Sequence, residues 1–80
     1  MEISEIIAKV NDIFKDILDN DNIKLTEATT ANDVEEWDSL SHTQLVYAIE
    51  KYFKIRFNAA EIRTWKNIGE MCASIKTRVA

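Results

Sequence analysis

Proline is absent from this chain of 80 residues, and glycine occurs once, at Gly69. Sheets and hairpins of this length usually need several Gly or Pro for tight turns, so their scarcity argues for helices. Cysteine also occurs once, at Cys72. It has no partner for an internal disulfide and no Cys or His neighbour at metal-ligand spacing, which points to an intracellular chain. No apolar run approaches the length of a membrane span. No basic start followed by an apolar run marks a signal peptide.

What is present suits one small globular domain covering residues 1–80, with 46% hydrophobic residues, too many for a disordered chain. Folding at this size hides only roughly 60–65% of the unfolded surface, enough for one core but not for a deep enclosed active site. The net charge is −4 and unevenly spread. Residues 1–40 hold 11 Asp/Glu and 3 Lys/Arg, or −8; residues 41–80 hold 3 and 7, or +4. An acidic chain is a poor nucleic-acid binder, because phosphate contacts need Lys and Arg, whereas basic protein partners suit it.

Apolar residues at Ile3, Ile6, Ile7, Val10, Ile13, Phe14, Ile17 and Leu18 recur three and four apart, predicting an amphipathic helix over 3–18. A long connection, 19–37, follows and is rich in Asn, Asp and Thr. It carries Ile23, Leu25, Ala28 and Val34, as expected of a loop laid against the core and partly ordered into a short turn. A second helix over 40–53 is expected from Leu40, Leu45, Val46, Ile49 and Phe53, with Tyr47 and Tyr52 flanking the stripe. A short helix over 59–64 is capped by Asn58. Ile68, Met71, Cys72, Ile75 and Val79 share one face of a last helix. Phe53, Phe57 and Trp65 are expected in the core, and Cys72 as a small buried hydrophobe.

The stretch "EEWDSLSH", 35–42, lies where the polar loop gives way to the second helix. Asp38, Ser39 and Ser41 are all good N-cap residues, and Ser41 with Gln44 matches a capping box. If Asp38 caps instead, Ser39 is the first helical residue and its side chain is free beside exposed N–H groups. The field there favours an anion, so a phosphate ester on Ser39 would be tolerated. On the residues alone, Ser39 is a cap, a nucleophile or a point of attachment.

The motif DSL opening an apolar helix, preceded by an acidic loop with Trp37 and followed by "LVYAIEKYF", resembles the acyl carrier proteins over essentially the whole chain. The resemblance implies an all-α, four-helix acyl-carrier-like bundle: three main helices, a short third one, and a long loop between the first two. It implies a 4′-phosphopantetheine arm on Ser39, moved there from coenzyme A by a phosphopantetheinyl transferase with Mg²⁺. It further implies a shuttle that holds acyl or aminoacyl groups as thioesters, presents them to acyltransferase or synthase enzymes, and has no catalytic site of its own. Asp38 matches the flanking acid and Leu40 the apolar anchor of the motif. By analogy Leu40, Val46 and Tyr47 are partner-facing or cavity-lining, and His42 is a solvated side chain within reach of a partner. Trp37 is expected to anchor the loop before Ser39. A cytoplasmic monomer is expected.

The chain departs from the familiar fatty-acid carriers, whose second helix is strongly acidic. Here only Glu50 is acidic after the motif, while Asp33, Glu35, Glu36 and Asp38 place the acidity in the loop, and Arg56 and Arg63 add positive charge nearby. That pattern looks more like specialised carriers served by a dedicated acyl- or aminoacyl-adenylating ligase in polyketide, peptide or surface-polymer pathways. Three other readings compete. A hydrolase would use Ser39, His42 and Asp38 but lacks a G-x-S-x-G elbow. A calcium loop starting at Asp19 meets Ile23, Lys24 and Thr30 where ligands or Gly are required. An unmodified helical interaction module would use its apolar stripe as core only.

Overall fold

The computed structural model describes residues 2–79. Four α-helices run in order: α1, Ile3–Leu18; α2, Ser39–Phe53; α3, Ala59–Thr64; and α4, Ile68–Val79. A 3₁₀ turn, Ala31–Asp33, interrupts the long loop between α1 and α2. Among the described residues there is no strand, and no helix is long and apolar enough to cross a membrane.

The apolar stripe of α1 buries Ile6, Val10 and Phe14 completely. Both α2 and α4 pack against α1. The former contributes Leu45 and Ile49, the latter Ile68, Met71, Cys72 and Ile75. These side chains, all fully buried, are the centre of one core. Phe53, Phe57 and Trp65 pack around it while partly exposed. Phe57 meets Trp65 edge to face at 4.8 Å, and the Arg78 guanidinium lies 5.3 Å from the Phe57 ring centre and pairs with Glu61. These contacts fasten α3 to α4. Burial, with a smaller push from Glu27, raises the Cys72 thiol to about 12, so it behaves as a hydrophobe and not as a nucleophile.

The long loop is ordered by specific polar contacts. Ile23, Leu25 and Val34 turn inward, as their spacing in the sequence suggested. Ala28 does not: it is exposed, and the neighbouring Thr29 takes the buried place. The Thr29 hydroxyl accepts a hydrogen bond from the Thr26 N–H at 2.9 Å, which lets a polar side chain be buried without loss. Asn11 on α1 accepts from the Leu25 N–H at 2.7 Å. The first N–H groups of α4 donate back to the loop, Ile68 to the Thr29 carbonyl and Gly69 to the Glu27 carbonyl, both at 2.8 Å. The loop thereby caps α4, and a helix start that lacks its own intrahelical partners is satisfied.

Leu40 is the exception to the predicted stripe of α2. It is 72% exposed and takes no part in the core.

Candidate functional site

The start of α2 is built from the loop inward. Trp37 meets the fully buried Phe14 edge to face, with ring centres 5.0 Å apart. Its indole N–H donates to Nδ1 of His42, one turn into α2, at 3.0 Å. The two rings stack at 5.9 Å, and Trp65 approaches the other side of His42 at 6.4 Å. His42 was expected to be solvated; it is half-buried between two tryptophans, and burial holds its pKa below the usual histidine range. Its neutral form is required, because only an unprotonated Nδ1 can accept the indole proton. The loop is thus latched to α2 on both sides of Ser39.

Asp38 is the N-cap. Its carboxylate accepts from the Ser41 N–H at 2.9 Å, and the Asp38 N–H donates to the Ser41 hydroxyl at 2.8 Å. The Ser41 hydroxyl proton faces the Glu36 carbonyl at 2.9 Å. This is a reciprocal cap with Asp38 first and Ser41 third, so the capping box that starts at Ser41 and ends at Gln44 is not used. The Ser41 N–H, then its hydroxyl, lower the Asp38 pKa. Other acids of the loop are also structural: Asp33 accepts from the Thr30 N–H at 3.0 Å, and Glu36 accepts from the Asn20 side chain at 2.7 Å.

With Asp38 capping, Ser39 is the first residue of α2 and is exposed. Its carbonyl accepts from the Thr43 hydroxyl at 3.3 Å, while its own hydroxyl is left out of the cap network. It opens on a cleft of about 320 Å³ whose walls include Trp37, His42, Trp65 and Lys66. Such a hydroxyl fits a phosphodiester link: it is reachable, it takes no part in the cap among the described residues, and it lies at the positive end of a 15-residue helix.

The other expected positions separate. Tyr47, 66% exposed, lies with Leu40 on the outside of α2. Val46 is only 6% exposed and lines a cleft with Tyr47 and Ile62. Trp37 is a latch, half-buried against Phe14, and it also lines the cleft beside Ser39. A hydrolytic triad is not assembled: the Asp38 carboxylate is bonded to Ser41, and His42 Nδ1 to Trp37. The Asp19–Asn22 stretch is a helix-ending turn. Asp19 takes the left-handed conformation after α1, and the Asn20 side chain accepts from the Asn22 N–H at 2.9 Å. Trp65 and Lys66, from the connection between α3 and α4, were not foreseen beside Ser39, since nothing in local periodicity relates two segments so far apart.

The fold is a four-helix bundle with an exposed serine at the head of its second helix and a latched loop before it. Residues 3–75 match the family described as "Phosphopantetheine attachment site". Among solved structures, the solution NMR structure of a holo acyl carrier protein from Geobacter metallireducens is similar at 36% identity and a TM-score of 0.86. The likeness covers 91% of this chain and 84% of that one. No curated protein matches the chain significantly. The chain belongs to the acyl carrier protein family, and its cofactor is covalently attached 4′-phosphopantetheine. It is a carrier that serves partner enzymes and is not itself an enzyme.

Proposed function

We propose that Ser39 is the attachment point and that residues 1–80 form one carrier domain, a cytoplasmic monomer of a specialised pathway. The observation that carries the attachment is the division of labour at the head of α2. Asp38 and Ser41 complete the cap between them, leaving the exposed Ser39 hydroxyl free to react. A phosphopantetheinyl transferase, using its own Mg²⁺, removes the Ser39 proton. The Oγ–P bond forms to the pantetheine phosphorus of coenzyme A, the P–O–P bond breaks, and adenosine 3′,5′-bisphosphate leaves. The arm's thiol then holds an acyl or aminoacyl group as a thioester.

The specialised pathway is supported by the exposed face of α2, which presents Gln44 and Lys51 beside Leu40 and Tyr47, whereas the second helix of the fatty-acid carriers is strongly acidic. A dedicated acyl- or aminoacyl-adenylating ligase is the loading partner this face suits. Two measurements test the reading. Intact mass after incubation with coenzyme A, Mg²⁺ and a broad-specificity transferase should rise by one phosphopantetheine in the wild type and not in Ser39→Ala. A mass gain that persists in Ser39→Ala would move the attachment elsewhere. Loading and elongation by fatty-acid synthase enzymes at the rate of their own carrier would defeat the specialised pathway while leaving the attachment intact.

A further inference from the structure

The cleft beside Ser39 has features that the attachment does not require. A carrier needs only an exposed hydroxyl on a helix its transferase can grip. Here the hydroxyl opens on a concave wall made by three aromatic rings from separate segments: Trp37 from the loop, His42 from α2 and Trp65 from the α3–α4 connection. Each ring is held in place. Trp37 is fixed by His42, and the Trp65 indole N–H donates to the Ser74 hydroxyl at 3.0 Å. The wall is therefore preorganised. Ring faces held this way bind aliphatic groups with little loss of side-chain entropy.

Lys66 stands on the rim of the same cleft and is exposed. Its backbone N–H donates to Glu70 at 2.8 Å, which fixes the main chain, and its ammonium makes no salt bridge among the described residues. The surroundings of Ser39 are otherwise acidic, with Asp38 in the cleft wall and Glu35 and Glu36 exposed just before it. A phosphodiester on Ser39 would add a negative charge to this group of carboxylates. Lys66 is the cation placed to offset it.

We infer that the Trp37–His42–Trp65 cleft with Lys66 at its rim is a docking site for the phosphate-proximal half of the chain's own phosphopantetheine arm. This rests on Ser39 as the attachment point. The chemistry matches in order along the arm. The anionic phosphodiester comes first and is balanced by Lys66. The apolar gem-dimethyl group follows and suits the aromatic wall. The volume matches too: about 320 Å³ lies within the range of small-molecule sites, roughly 300 to 1,000 Å³, so the cleft has room for the base of the arm. The docked arm keeps its thiol end free while its base is steered to one side of α2.

The test uses the full chain, first converted to the holo form and checked by mass, with nitrogen-15 spectra of apo and holo protein compared. The expected result is that holo conversion shifts the indole N–H of Trp65 and the amides of Lys66 and Asn67, as well as residues 38–41. Lys66→Ala, a change at an exposed position, should abolish the remote shifts, Lys66→Arg should keep them, and added salt should weaken them because the ion pair is screened. Remote shifts that are absent in correctly modified holo protein, or that survive Lys66→Ala unchanged, would overturn the docking. Shifts that appear only when hexanoyl-coenzyme A is the donor would overturn it in favour of the cargo as occupant. A failure to gain mass at Ser39 would instead remove the attachment, and the docking with it.

Discussion

The indole N–H of Trp37 donates to Nδ1 of His42 at 3.0 Å, bridging the last part of the loop and the second turn of α2 across Ser39. One bond thus couples the setting of Ser39 to the protonation state of the only histidine in the chain.

That coupling makes the fold pH-sensitive in a defined window. Burial lowers the His42 pKa below its ordinary 6.5, so folding favours the neutral ring. Between the folded and unfolded pKa values the unfolded chain binds more protons, and stability rises with pH. The contribution is complete above pH 6.5 and is lost as pH falls below it. Asp38 acts at lower pH: its stabilisation is present above its ordinary 3.8 and is lost as pH falls through its depressed folded value. Urea unfolding measured from pH 7.5 to 5 should lose stability in the wild type, and His42→Gln should be flatter over that range. Equal slopes would assign the dependence to other groups.

The serines flanking Leu40 should behave oppositely. Asp38→Ala and Ser41→Ala each remove half of a reciprocal cap and should each lower stability by urea unfolding. Ser39→Ala should stay within about 0.5 kcal/mol of wild type, as an exposed side chain outside the cap network. The same Ser39→Ala should abolish phosphopantetheine loading, which Ser41→Ala should not.

Leu40 and Leu45 form a second contrasting pair. Leu45 is fully buried, so Leu45→Ala should destabilise by roughly 2–5 kcal/mol. Leu40 is 72% exposed, and Leu40→Ala should leave the melting curve almost unchanged. If its side chain seats in partner enzymes, transferase kcat/KM should fall about five-fold or more, the equivalent of about 1 kcal/mol of contact. An unchanged kcat/KM would mean that Leu40 touches nothing in that partner.

Gly69 lies in the first turn of α4, where Ala would ordinarily improve helix stability by roughly 0.8–1 kcal/mol. A Cβ at this position would lie 3.0 Å from the Glu27 carbonyl oxygen and 3.2 Å from the Glu27 Cβ. The Gly69 N–H holds that same carbonyl at 2.8 Å, so the loop cannot withdraw without losing the bond. Gly69→Ala should therefore lower stability by about 1 kcal/mol, near the lower end of overpacking costs. An increase in stability would show that the loop yields.

Much of this protein is local in origin. The three- and four-residue spacing in 3–18 and 68–79 dictates α1 and α4, because an apolar stripe at that period can be buried only as a helix. Asn58 starts α3 by accepting from the Glu61 N–H at 2.7 Å, a contact between near neighbours that composition alone suggests. The "DSL" motif and its position are legible as a resemblance to the carrier family, whereas cap chemistry alone leaves Ser39 open as cap, nucleophile or attachment point.

Other features needed the tertiary structure. Val46 and Leu40 are both apolar residues of α2, and only the packing around the helix decides that one is buried, in a cleft shared with Ile62 of α3, and the other bare. Which of three capping residues acts is decided in the folded chain, where the Asp38 carboxylate takes the Ser41 N–H and the Glu36 carbonyl takes the Ser41 hydroxyl proton. His42 between Trp37 and Trp65, and Lys66 beside Ser39, depend on segments brought together by packing around Phe14 and α4. Periodicity records which face of a helix is apolar. It carries no record of what lies opposite that face, because that is set by the closure of loops whose ends meet only in the folded chain.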